Sequence, residues 1–196
     1  MFELVVKGGP VMIPLGLCSI VALGVLAERL WRLHRTGRET RRLLSALGSE
    51  ALPSRSELLM ACRRSAAPLA RVVLAAAEMR NPPSLAAAER QGAEEARRLE
   101  GHLPAVDAVV TLAPLLGLLG TITGMIQSFG VLSVQGGENP FAVTGGIAEA
   151  LITTATGLIV AVVAFAGYAW CQHLMEREVH QMETVVGDLL ERVHWT

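Results

Sequence analysis

From Ala108 to Val134 this chain carries no formally charged residue, and from Asn139 to Met175 it carries one, Glu149. Two apolar runs of that length leave few folds open. As helices rising about 1.5 Å per residue, both can cross the ~30 Å hydrocarbon core of a bilayer. A third run, "PVMIPLGLCSIVALGVLA" (Pro10–Ala27), is just long enough. Backbone polar groups in lipid must be bonded within the segment, and a helix does this. Composition agrees with membrane spans alternating with polar segments: 52% of residues are hydrophobic, and the charges are gathered into blocks. The chain therefore reads as an all-α membrane protein with transmembrane helices at 10–27, 106–133 and 140–171.

Flanking charge sets the expected orientation. The block "ERLWRLHRTGRETRR" (Glu28–Arg42) follows the first run. By the positive-inside rule it stays in the cytoplasm, which leaves 1–9 as a short periplasmic N-terminus. A signal peptide would carry its positive charges before the apolar run. The connection at 134–139 lies within "SVQGGENP", which lacks Lys and Arg and suits a periplasmic turn. Residues 28–105 then form a cytoplasmic helical region, and 172–196 a cytoplasmic C-terminal helix.

Residues 28–105 are rich in Ala, Leu, Arg and Glu, all strong helix formers. Ser54 and Glu57 have capping-box spacing, Pro82 and Pro83 mark a break, and Ser84 is placed to cap the next helix. This predicts roughly three helices. Two are continuous with spans, because no breaker separates Ala27 from Glu28 or Cys171 from the tail. The mixed charges read most simply as a solvated face. Net charge is −1, so nothing basic overall points to nucleic acid. Three scattered cysteines give neither a disulfide framework nor a zinc motif, and no cofactor is implied.

Span two carries Ala113, Gly117, Gly120, Thr121, Gly124 and Ser128 at spacings that share one helical side. Small residues let helices approach closely in lipid, so Gly117, Gly120 and Gly124 are expected to be packing positions. In span three, Asn139 is a good N-cap and Pro140 a good first residue. Counted from there, Glu149 lies ~15 Å deep, near the bilayer middle. Thr121 lies ~18 Å from the outer end of span two, so the two are expected at similar depth. Glu149, Thr153, Thr156 and Val160 follow the spacing of one face, while Thr154 points roughly 140° from Glu149. A ring of identical subunits offers partners in both directions.

An ionised carboxylate at the bilayer centre costs at least ~2.5–3.5 kcal/mol. Desolvation favours the protonated form, while water or a counter-charge favours the ionised one. A group poised between those states relays protons. A protonated Glu149 serving only as interhelical glue is the simpler alternative. Asp107, near the inner end of span two, can reach interfacial water.

The stretches "LAPLLGLLGTITGMI" (Leu112–Ile126) and "GGIAEALITTATGL" (Gly145–Leu158), with three spans and a large loop, resemble the MotA/TolQ/ExbB family, above all ExbB and TolQ. The resemblance implies a homopentamer around a central pore lined by spans two and three. That pore would hold a dimer of an ExbD/TolR-like single-span partner with an intramembrane Asp. Proton flow across the bacterial inner membrane would rotate one component against the other. A TonB- or TolA-like transducer would pass on the work. It places the essential pore carboxylate on Glu149 and the pore threonines on Thr121 and Thr154. Thr153 and Thr156 stand where the family pattern is less polar. They would add pore hydroxyls for a wetter proton path, with Na⁺ as the alternative ion.

Other classes fit less well. A secondary transporter would be expected to show an internal repeat, and three spans are few. An intramembrane enzyme would need a nucleophile and base, and no H-E-x-x-H or Gly-x-Ser-x-Gly motif is present. A passive helical scaffold explains the glycines but leaves Glu149 without a purpose.

Overall fold

The computed structural model describes residues 9–47, 55–77, 84–135 and 140–192. These form six α-helices: α1 (Met12–Leu47), α2 (Arg55–Arg64), α3 (Pro68–Ala77), α4 (Leu85–Glu100), α5 (Leu103–Gln135) and α6 (Pro140–Arg192). Segments of α1, α5 and α6 are long and apolar enough to cross a membrane. The all-helical class and the three candidate spans therefore stand. Ser54, Pro82, Pro83 and Asn139 lie outside the described residues, as do 1–8 and Gly136–Asn139 of the expected turn.

Continuity at both predicted junctions is found: α1 runs through Ala27–Glu28 and α6 through Cys171 without interruption. α5 begins at Leu103 and ends at Gln135, somewhat longer than the expected span 106–133. Ser84 caps α4, its hydroxyl accepting from the Ala87 N–H. Gly101 ends α4 at φ 49, with its N–H donating to the Arg97 carbonyl. One break went unanticipated. The chain leaves helix at Ser65–Ala67 and restarts at Pro68, the residue type suited to a first helical turn.

The chain divides into two units. The first comprises Met1–Ala27 and His102–Ala169. In it the start of α1 runs parallel to α6. The Glu149 carboxyl lies against Gly9, and the Leu26 side chain lies against Gly167. α5 and α6 are antiparallel, joined along a seam of small residues. Many large apolar side chains face outward, among them Ile13, Leu17, Ile20, Leu118, Ile126, Ile159, Val162 and Phe165. Such a surface is stable against lipid or against other helices, not in water.

The second unit comprises Glu28–Gly101 and Trp170–Thr196. Its core includes Leu33, Leu43, Leu58, Cys62, Leu69, Val73, Leu99 and Met182. Burial pushes the Cys62 thiol up to about 11, so it behaves as a small apolar group. The Arg55 guanidinium donates to the Ala77 carbonyl at 3.1 Å and closes the end of α3. Glu95, 1% exposed, holds Arg71 at 2.5 Å and Arg98 at 3.2 Å, and accepts from Gln91 at 3.1 Å. Glu178 is buried too, with its carboxyl beside Gly37 and Thr40.

Candidate functional site

The seam between α5 and α6 is built from small residues on both helices. On α5 they are Ala113, Gly117, Gly120, Gly124 and Ser128, the stripe read from the sequence. On α6 they are Gly146, Ala150, Thr153 and Gly157, at spacings of four, three and four. The fit is close enough to exclude a methyl group at several points. A Cβ on Gly157 would lie 2.6 Å from the Ala113 carbonyl oxygen and 3.0 Å from the Gly117 Cα. One on Gly124 would meet the Ala150 Cβ at 3.0 Å, and one on Gly120 the Thr153 Cβ at 2.8 Å. Gly117, Gly120 and Gly124 all lie in this seam. Their counterparts on α6 were not read, although the stripe from Gly146 to Gly157 was visible as a pattern.

Hydroxyls in the seam are directed to backbone carbonyls. Thr154 Oγ1 donates across the pair to the Gly117 carbonyl at 2.8 Å. Thr121 Oγ1 donates to the Leu118 carbonyl at 2.7 Å and Ser128 Oγ to that of Gly124 at 2.9 Å. Thr153 Oγ1 donates to the Glu149 carbonyl at 2.9 Å and Thr156 Oγ1 to that of Ile152 at 2.8 Å. Bonds of this kind satisfy a hydroxyl in lipid and leave its lone pairs free to accept a proton donor.

The five polar positions do not share one direction. Thr153 is 1% exposed and turned into the seam against Gly120. Glu149 and Thr156 lie on one flank of that seam, both partly exposed, and Thr154 lies on the other. Gly120 against Thr153 and Gly124 against Ala150 set the register. They bring Thr121 level with the Ala150–Thr153 turn, within about a turn of Glu149. Thr121 and Glu149 therefore lie at similar levels along the helix pair. Within the chain, however, the Glu149 carboxyl makes no hydrogen bond to Thr121 or Thr154 among the described residues.

The level of Glu149 along α1 follows from a contact of its side chain. The Glu149 side chain leans toward the N-terminus of α6, as helical side chains do, and its carboxyl rests beside Gly9. It is therefore level with the start of α1, not with its middle. The reason lies in the length of the third apolar run: 140–171 spans ~48 Å as a helix, well beyond a ~30 Å hydrocarbon core. Its first turns need not lie in that core. Gly9, at φ 69, accommodates the carboxyl because it has no side chain. Nothing in the sequence pairs positions 9 and 149, so this contact was not foreseen.

Comparison with known proteins bears on what such a helix pair serves. Residues 65–184 match the model of the MotA/TolQ/ExbB proton channel family. The chain is 34% identical over 198 residues to the biopolymer transport protein ExbB-like 1 of Synechocystis, covering 96% of this chain and 76% of that one. It is 33% identical to the Tol-Pal system protein TolQ of Haemophilus influenzae over 50% of this chain and 41% of TolQ. To the biopolymer transport protein ExbB of Salmonella typhimurium it is 32% identical over 49% of this chain and 36% of ExbB. The matched region holds α5, nearly all the described part of α6, and both quoted motifs. With three candidate spans and this seam, the chain belongs to the MotA/TolQ/ExbB proton channel family, close to ExbB and TolQ.

Proposed function

We propose that this chain is the channel and motor subunit of an ExbB–ExbD or TolQ–TolR type complex. It uses the proton gradient across the bacterial inner membrane to energise transport or envelope processes at the outer membrane. The observation that carries this reading is Glu149, the one formal charge from Asn139 to Met175, on the flank of the α5–α6 seam, where a passive scaffold has no use for it. Family membership supports it.

In this reading five copies surround a pore lined by α5 and α6. Association of copies covers part of the apolar surface that one chain exposes. It also answers the opposed directions of Glu149 and Thr154, since the flank of one subunit meets the other flank of its neighbour. Glu149 takes a proton from water on the periplasmic side, where its level beside Gly9 gives it access. Thr121 and Thr154 hold the pathway beside it, and Thr156 adds a further hydroxyl. Thr153 serves the seam. A single-span ExbD/TolR-like partner in the pore offers an Asp, and a TonB- or TolA-like protein takes up the motion. Each elementary charge crossing the membrane releases about 2.3 kcal/mol per 100 mV. The chain performs no covalent chemistry. Its N-terminus is periplasmic, and the α2–α4 region and the end of α6 are cytoplasmic.

Native mass spectrometry of the tagged protein released gently from its own membrane tests the assembly. Five copies with a small single-span partner are expected. A monomer or dimer without such a partner, in several mild detergents, would contradict the reading.

A further inference from the structure

The second unit contains a cleft of about 450 Å³ between α1, α3 and α4. Five arginines and only two carboxylates line it. Arg29, Arg32 and Arg35 come from α1, Arg71 from α3 and Arg98 from α4. The arginines are not equivalent. Arg29 is 3% exposed and donates to the Arg98 carbonyl at 3.5 Å. It places fixed positive charge in the wall. Arg71 is committed to the buried Glu95.

Arg32, Arg35 and Arg98 keep more than half of their side-chain surface open. All three have carboxylate partners: Arg32 pairs with Glu28 and Arg35 with Glu39 along α1, and Arg98 pairs with the exposed Glu94 and the buried Glu95 on α4. Exposed i,i+4 pairs are worth only about 0.3–0.5 kcal/mol. A phosphate can displace them and take two donors from each guanidinium. Arg35 also lies over the Trp31 ring at 5.8 Å, and that ring is 65% exposed.

Position along α1 chooses among anions. Ala27 ends the apolar run, and the helix continues unbroken. Arg29 to Arg35 follow within roughly 3–12 Å of Ala27. The headgroup layer on one side of a bilayer is about 5–7 Å thick. An exposed Trp at such a level is an interfacial residue, and arginines just past a span meet anionic headgroups. We propose that this cleft binds the phosphate headgroup of an anionic glycerophospholipid in the leaflet on that side. Arg32, Arg35 and Arg98 hold the phosphate, and Trp31 lies along the glycerol and upper chains. The site is independent of the role proposed for Glu149.

The test uses the full chain with its partners, extracted with surrounding lipid by a styrene–maleic copolymer, and lipid analysis by mass spectrometry. Phosphatidylglycerol is expected to be enriched over the parent membrane. The triple variant R32Q/R35Q/R98Q is expected to lose roughly tenfold of that enrichment. R63Q/R64Q/R90Q makes the same charge change at exposed arginines outside the cleft and is expected to keep it. Equal loss in both variants, or loss in neither, overturns the proposal. If the triple variant fails to fold, R35Q alone is expected to give a partial loss, and unchanged enrichment there overturns it.

A second arm separates lipid from soluble phosphate and from a neighbouring subunit. In discs of purely zwitterionic lipid, added phosphatidylglycerol is expected to raise the melting temperature and inorganic phosphate is not. A saturable shift with phosphate alone would assign the cleft to a soluble ligand. A changed number of copies in the triple variant would assign it to a subunit contact. Either result overturns the lipid site.

Discussion

The hydroxyl of Thr154 donates to the backbone carbonyl of Gly117 at 2.8 Å, and through that bond α6 is fastened to α5 at the point where neither helix has room for a larger side chain. Gly117 permits the approach, and the approach puts its carbonyl within reach. A threonine read only as a pore hydroxyl thus has a structural partner of its own. Thr154→Val keeps the shape and removes the bond. It is expected to destabilise the helix pair by about 0.6–1.7 kcal/mol, the range for such bonds in membranes. Thr154→Ser should recover most of that. Unfolding in mild detergent mixtures measures both. A Val variant as stable as the parent would remove the bond from the account.

Glycines along the seam should not respond equally. At Gly157 a new Cβ meets backbone, the Ala113 carbonyl and the Gly117 Cα, which move only if the helices part. At Gly146 it meets the Ser128 hydroxyl, the movable end of a side chain that can change rotamer. Gly157→Ala is therefore expected to weaken the fold more than Gly146→Ala, by at least about 1 kcal/mol. The reverse order in thermal unfolding would mean that the register is wrong.

Glu95 makes an asymmetric pair with Arg71. The carboxylate is 1% exposed, whereas the arginine side chain is 44% exposed. Removing the arginine leaves a buried charge with weaker support from Arg98 and Gln91. Removing the charge, as in Glu95→Leu, releases guanidinium groups to water at small cost. Arg71→Ala should cost about 1–3 kcal/mol and Glu95→Leu clearly less. Chemical denaturation of the two variants decides it, and equal losses would contradict the burial argument.

Glu178 gives the second unit a pH dependence. It lies seven residues beyond 140–171, the expected third span. Burial raises its carboxyl above the ordinary 4.5, and the Thr40 bond and the nearby Arg177 and Arg41 offset this only in part. The folded chain thus holds a proton that the unfolded chain releases. Its stabilising contribution is full below the ordinary value and fades as pH rises through the raised one. Glu178→Gln should flatten that slope and be the more stable form at higher pH. Parallel pH profiles of melting temperature for the two would count against this.

The parts of this fold that depend on local pattern were legible in the sequence. Charge segregation marked the three spans, Ser84 marked the start of α4, and the i, i+3, i+4 spacing of Gly117, Gly120 and Gly124 marked the seam. Contacts between distant segments were not. The Gly9 backbone beside Glu149 and Gly37 beside Glu178 rest on how α1 and α6 pair, and no spacing rule encodes a parallel pair of helices. Thr153 is the instructive case. It belongs both to the polar stripe through Glu149 and to the small stripe through Gly146, Ala150 and Gly157. Tight packing claimed it for the seam.

The central claim is that Glu149 carries the proton, and flux measured in liposomes with an internal pH dye tests it most directly. The complex, purified with its partner and reconstituted under an imposed gradient, should acidify the interior. The Glu149→Gln complex should assemble with the same number of copies and conduct at the level of empty liposomes. A Gln variant that assembles normally and conducts like the parent would contradict the account.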